Sequence, residues 1–220
     1  MSRNSFISMA VIRRLPRYYR YLRAMNNAGI RTISSRELAD CMELTASQVR
    51  QDFNCFGDFG QQGCGYDVES LTASITKILG LDVGYKVVIM GAGKLGQSLI
   101  ENFGFESRGF DLVCAFDTDK NKCGQVDGIP VYHVDSIGEY FSSRTKADIG
   151  VLAVPAEEAR KGADYLELCG VKAIWNITKE DLPIAEANGV LIENLHISDS
   201  LMTLSYRLTE LENKLYGIDR

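Results

Sequence analysis

The run Gly91-Ala92-Gly93-Lys94-Leu95-Gly96 stands directly behind the apolar residues Val87-Val88-Ile89-Met90 and ahead of Gln97-Ser98-Leu99-Ile100. A buried strand, a tight glycine turn and a helix in that order build a cradle for phosphate. The first glycine permits the turn, the second lets backbone approach a pyrophosphate, and the third lets helix and strand pack closely. The helix N-terminus adds free N–H groups and partial positive charge. The next expected strand, residues 110–116, ends at Asp117, 21 positions beyond Gly96. A carboxylate at that distance is placed to bond ribose hydroxyls and to repel the 2′-phosphate of NADP, so the expected ligand is NAD(H).

Strand and helix patterns continue to alternate beyond Asp117. Strands are expected at residues 131–133, 149–154, 173–176 and 190–193, with helices at 137–141 and 156–168. Such alternation predicts a Rossmann-type doubly wound parallel sheet over residues 85–197. Ligands bind these sheets outside the carboxyl ends of the strands. Val154, Pro155, Ala156 and Asn176 fall at such ends and are expected to line the nicotinamide half.

Charge sets the first third of the chain apart. Residues 1–36 hold eight arginines and no acid, and the first lysine is Lys77. Residues 1–66 carry nine arginines against five acids, or +4; the whole chain is −5, which leaves −9 for the remainder. A basic end on an acidic body points to a polyanionic partner. Arginine in place of lysine suits bidentate contacts with phosphate and guanine. Leu15, Tyr18, Tyr19, Leu22 and Met25 recur at helical spacing. Ser34-Ser35-Arg36-Glu37 and Thr45-Ala46-Ser47-Gln48 read as two capping boxes 11 residues apart, the spacing of a helix-turn-helix. On the second helix Ala46, Val49 and Phe53 are expected to face inward, and Ser47, Gln48, Arg50 and Gln51 outward. Residues 56–66, with four glycines, predict a wing hairpin, and residues 68–79 a further helix. The expected domains are therefore a winged helix-turn-helix over residues 1–84, the nucleotide domain, and a C-terminal helix over 198–220.

In that last segment Leu201, Leu204, Leu208, Leu211 and Leu215 step by three and four, with Arg207, Glu210, Glu212 and Lys214 on the other faces. A helix-turn-helix reader generally works as a twofold dimer, so this seam is expected to join two subunits. No apolar stretch reaches the ~20 residues of a bilayer span. The short run at residues 6–12 is followed by Arg13-Arg14 and not by a cleavage site, so a cytoplasmic address is expected. Six scattered cysteines without a CxxC pair, and two histidines in all, argue against zinc. Cys114 and Cys169 read as packed thiols, and Cys64 as an exposed one.

Several motifs together resemble the redox-sensing transcriptional repressor Rex family. They include Arg14-Leu15-Pro16-x-Tyr18-Tyr19-Arg20, Ser34-Ser35-x-Glu37-Leu38-Ala39, Gln48-Val49-Arg50-x-Asp52-Phe53 and Gly63-x-Gly65-Tyr66. The glycine turn, Ala115-Phe116-Asp117-x-Asp119, Val154-Pro155-Ala156 and Glu193-Asn194 extend the likeness over nearly the whole chain. The resemblance implies a homodimer that holds double-stranded operator DNA when NADH is scarce and releases it when NADH binds. It implies a C-terminal helix exchanged between subunits beside each nucleotide pocket, and Arg23 between the DNA and nucleotide domains. The residues expected at the nucleotide are Gly91, Ala92, Gly93, Lys94, Leu95, Gly96, Asp117, Asp119, Val154, Pro155, Ala156, Asn176, His196 and Ile197. Those expected at DNA are Arg14, Tyr18, Ser34, Ser35, Thr45, Ala46, Ser47, Gln48, Arg50, Gln51, Gln62 and Gly63.

Three positions depart from the family pattern. Gln51 stands where Lys or Arg is usual, and Gln62 where Arg is common, which removes two cations from the DNA face. His196 stands where an Asp helps couple nucleotide to domain position, so the response is retuned, pH-sensitive or missing. Two other readings follow: a DNA-binding member without redox response, and an NAD-dependent oxidoreductase. The second lacks a well-placed Tyr-x-x-x-Lys run, and its only imidazoles are His133 and His196.

Overall fold

The computed structural model describes residues 7–57, 59, 65–143, 146–183 and 189–217. The chain divides into two compact units, Met1–Val83 and Gly84–Arg220.

The first unit contains α1 (Met9–Ile12), α2 (Leu15–Asn27), β1 (Thr32–Ile33), α3 (Ser35–Met42), α4 (Ala46–Asn54), β2 (Tyr66–Asp67) and α5 (Val68–Ile78). Ser34 caps α3 with both halves of a capping box: its hydroxyl accepts from the Glu37 N–H, and the Glu37 carboxylate accepts from the Ser34 N–H. Glu43 ends α3 in the left-handed region, at φ 57°, and turns the chain into α4. Thr45 caps α4 through the Gln48 N–H. The second box is only half made, because the Gln48 side chain reaches Asp52 instead of returning to Thr45.

Leu15, Tyr18 and Leu22 of α2 pack with Leu38, Met42, Val49, Phe53, Leu71 and Ile75 in one core. Tyr18, Phe53 and Tyr66 pack in a row, the first pair tilted and the second edge-to-face, with ring centres 4.8 and 5.1 Å apart. Most of the expected wing, residues 58 and 60–64, lies outside the described residues. At its base an antiparallel ladder pairs Thr32 with Asp67 and Ile33 with Tyr66. Gly65, at φ +78°, lies so close to it that a Cβ would stand 2.9 Å from the Ile33 carbonyl oxygen. Gln62, Gly63 and Cys64 lie outside the described residues.

The second unit contains β3 (Tyr85–Met90), α6 (Lys94–Asn102), β4 (Phe110–Asp117), β5 (Gly124–Val126), β6 (Ile129–His133) and α7 (Ile137–Ser143). It continues with β7 (Ile149–Leu152), α8 (Ala159–Leu168), β8 (Ala173–Asn176), β9 (Leu191–Asn194) and α9 (Ile197–Tyr216). Its seven-stranded sheet runs β5-β6-β4-β3-β7-β8-β9. All neighbours are parallel except β5 and β6. The wholly parallel sheet expected from the sequence therefore gains one antiparallel edge strand. The reason is a two-residue Asp127-Gly128 turn, both residues at positive φ, which joins the two as a hairpin. Helix 156–168 also starts late: Ala156–Glu158 is a 3₁₀ turn and α8 begins at Ala159.

Strand order reverses at β3, whose neighbours β4 and β7 follow in opposite directions across the sheet. A crevice opens at that switch point, above the end of β3, where the glycine turn begins. Cys114 and Cys169 are buried in the sheet's core, and burial beside Cys114 pushes the Cys169 thiol up to about 12. On α9 the leucines at 201, 204, 208, 211 and 215 are all more than half exposed.

Candidate functional site: a nucleotide cradle and a basic helix-turn-helix

Each glycine of the turn meets a different constraint. Gly91, at φ +102°, has no room for a Cβ, which would stand 2.5 Å from the Ala153 carbonyl oxygen. Gly96 packs so closely that a Cβ would fall 1.9 Å from the Gly91 carbonyl oxygen. Gly93 is the opposite case: a Cβ there would meet nothing within 4 Å. It is the N-cap of α6, no side chain caps the helix, and Gly93 lines a cavity of about 230 Å³. Open space at an uncapped helix N-terminus fits a pyrophosphate.

Asp117 closes the opposite wall of that cavity. It is 6% exposed; Oδ2 accepts from the Ala92 N–H at 2.8 Å and Oδ1 from the Asp119 N–H at 2.8 Å. Lys122 Nζ lies 3.3 Å from both oxygens. Val154 and Pro155 share this cavity with Asp117 and do not frame a separate chamber. Met90, Thr118, Lys122, Ala153, Glu158, Gly162 and Tyr165 complete it, and sequence reasoning missed all seven.

Other expected residues stand behind the wall or away from it. Ala92 is buried and orients Asp117, while Lys94 and Leu95 are exposed on the first turn of α6. Asp119 does not line the cavity: its Oδ1 accepts from the Asn121 N–H and side-chain amide, closing a local turn. Asn176 does not line it either. Fully buried, it donates to the Glu180 carbonyl and Asn194 Oδ1, and accepts from the Thr178 N–H and hydroxyl. A buried amide must satisfy its own polar atoms, and here the chain satisfies them all. Ala156 begins the 3₁₀ turn beyond the pocket rim. His196, the N-cap of α9, holds Asp181 Oδ1 at 2.7 Å through Nε2, and Ile197 is 68% exposed.

On the first unit Ser47, Arg50 and Gln51 are exposed along α4, and Ala46 is half-buried. Arg50 Nη1 donates to Ser35 Oγ at 2.9 Å, which ties α3 to α4 on the exposed face. Ser34 and Thr45 hold their hydroxyls on the helix caps. Exposed arginines 13, 17, 20, 23, 31 and 36 give the unit its basic surface.

Three residues expected at DNA face inward instead. Asp52, fully buried on α4, accepts from Arg14 Nε and Nη2 at 2.6 and 2.7 Å, Tyr18 Oη at 2.9 Å and Gln48 Nε2 at 3.0 Å. Tyr18 is fully buried, so it is a core residue and not a DNA contact. Arg14, with 22% of its side chain exposed, and half-buried Gln48 are held in the same network. The cause is the carboxylate, which is tolerated in a core only when paired and hydrogen-bonded. The signal was present in sequence: Asp52 sits three residues after Val49 and one before Phe53, on the apolar side of α4.

Among the described residues no helix is long and apolar enough to cross a membrane, and no cluster of His, Cys, Asp and Glu could hold a metal. Residues 6–54 match the family model "Putative DNA-binding protein N-terminus", and residues 82–180 match "CoA binding domain". The redox-sensing transcriptional repressor Rex of Thermoanaerobacter sp. (strain X514) is 48% identical over 99% of this chain and 97% of its own. The crystal structure of RSP in complex with β-NAD+ and operator DNA superposes with a TM-score of 0.84. It is 46% identical, over 99% of this chain and all of that one. RSP in complex with β-NADH is also similar, at TM-score 0.84 and 44% identity, over 96% of this chain and all of that one. The chain belongs to the family of redox-sensing transcriptional repressors named Rex.

Proposed function

We propose that this chain is a homodimeric repressor that holds operator DNA when NADH is scarce and lets go when NADH enters the cradle. The observation that carries the reading is one chain bearing both an open glycine cradle walled by Asp117 and an arginine-rich helix-turn-helix. Its relatives RSP, crystallised with NAD+ and operator DNA and with NADH, support it. Gly93 and the first turn of α6 hold the pyrophosphate, and Asp117 faces the ribose. Arg50, Ser47 and Gln51 meet the duplex, the leucine seam of α9 joins two subunits, and Arg23 serves coupling between the two activities. The pocket is regulatory, not catalytic, in keeping with relatives that carry repressor names.

Oxidised nicotinamide is a cation and the reduced ring is neutral, so a pocket that excludes water costs more to close on NAD+. If NADH favours a state that binds DNA poorly, DNA must weaken NADH by the same factor, typically about 5- to 150-fold. Titrating NADH and NAD+ against a labelled palindromic duplex tests this. NADH is expected to lower operator affinity well beyond NAD+; superimposable curves overturn the redox-sensor reading.

A second reading, in which nucleotide binds without moving the operator affinity, draws on His196, held by Asp181 where the family pattern has an acid. Its signature in the same titration is saturable NADH binding with flat operator affinity.

Replacing Arg50 with alanine is expected to weaken operator binding by about tenfold or more, if the guanidinium leaves Ser35 to read a base. An equal loss on a random duplex reduces Arg50 to a phosphate contact.

A further inference from the structure

Asp117 does not offer its carboxylate freely. A carboxylate has about four acceptor positions. Two are filled by the N–H groups of Ala92 and Asp119, both at 2.8 Å. Lys122 Nζ, at 3.3 Å from each oxygen, covers the other two. Lys122 lines the same cavity as Asp117, and its side chain is 38% exposed against 6% for the carboxylate, so an entering ligand meets the ammonium together with the acid.

From this arrangement we infer that Lys122 sets how strictly the site distinguishes an unmodified ribose from a 2′-phosphorylated one. The inference rests on the dinucleotide reading of the cradle. A ribose diol can bond to Asp117 only by displacing the ammonium, so Lys122 opposes NADH. A 2′-phosphate, which a bare carboxylate repels, finds instead a cation with three donors. Lys122 therefore lends affinity to NADPH. Asp117 and Lys122 act in opposite directions, and the measured preference is their difference. Lys122 comes five residues after Asp117, on the 3₁₀ turn Lys120–Lys122 that Asp119 caps, so the loop brings its backbone within side-chain reach of the carboxylate.

The test compares NADH and NADPH binding, read from nicotinamide fluorescence, in the wild type and in Lys122→Met. Methionine keeps the length and apolar stem and removes the charge. NADH is expected to bind as tightly or more tightly, and NADPH to weaken by about tenfold, the scale of one lost charge-assisted bond. Lys122→Gln, a polar neutral replacement, is expected to shift the preference in the same direction. Should methionine compromise folding, the glutamine variant carries the comparison alone. An unchanged NADPH-to-NADH ratio in a folded variant overturns the inference while leaving the dinucleotide reading intact. A wild type that binds neither coenzyme overturns both.

Discussion

Replacing Asp52 with alanine is expected to destabilise the protein by about 3 kcal/mol, the low end for breaking a buried ion pair, because Arg14 keeps a path to water. Tyr18 has none, and its hydroxyl would lose the carboxylate that accepts its proton inside the core. Operator binding should fall with stability, since the network joins α2 to the helix that carries Arg50. Asp52→Asn separates shape from charge: it retains the outline and Gln48's neighbour but leaves Arg14 facing an amide.

The same network predicts a pH signature. Burial pushes the Asp52 carboxyl up, but bonds from Arg14, Gln48 and Tyr18 outweigh it and hold the group below the ordinary carboxylate range. A depressed folded-state value means that the network's stabilisation is complete above the unfolded value, near ~4, and drains as pH falls through the lower folded one. Burial, together with the Asp52 bond, raises the Tyr18 phenol, so its contribution is complete below ~10 and is lost as pH rises beyond that. Thermal melts followed by circular dichroism should show wild type and Asp52→Asn separated by a constant interval between those limits. The interval should close in acid. A gap that does not narrow as pH falls below ~4 would show that the carboxylate's charge is not the source.

Gly96→Ala should abolish nucleotide binding and cost about 3 kcal/mol or more, as overpacking against backbone does when nothing can yield. Its Cβ would fall 1.9 Å from the Gly91 carbonyl oxygen, so the turn or α6 must move. Gly93→Ala provides the contrast. The new methyl meets nothing within 4 Å, so the melting temperature should stay near that of the wild type. Its methyl would stand in the space assigned to the pyrophosphate, so NADH affinity should fall by about tenfold or more, as when anion-binding backbone is screened. A Gly96→Ala protein that melts like the wild type would remove the packing argument. A Gly93→Ala protein with undiminished NADH affinity would move the anion elsewhere.

The glycine turn, the cap at Ser34 and the alternation of strand and helix were legible because each is local. A turn, a cap and a strand end declare themselves within a few residues. What stayed hidden depends on pairs far apart in sequence or on competition for a group. Arg14 and Tyr18 carry DNA-facing motifs by composition, yet a carboxylate 38 and 34 positions away draws both inward. Asn176 sits at a strand end, where ligands bind, but Asn194 on the neighbouring strand engages it first. Lys122 and the antiparallel strand were within reach of the sequence. Asp127-Gly128 is a recognised hairpin turn, and Lys122 follows Asp117 closely enough to meet it.

The bare leucines of α9 carry a thermodynamic consequence. A helix of 20 residues is about 30 Å long, and sheltering one leucine side chain is worth roughly 1.5–3 kcal/mol. Five of them rival the net stability of an ordinary domain. If the seam joins two subunits as proposed, folding and pairing are one equilibrium governed by mass action, and heat tolerance should climb as the solution is concentrated. A cell making few copies of such a dimer would then have weak grip on its promoters for want of partners, before any coenzyme is consulted.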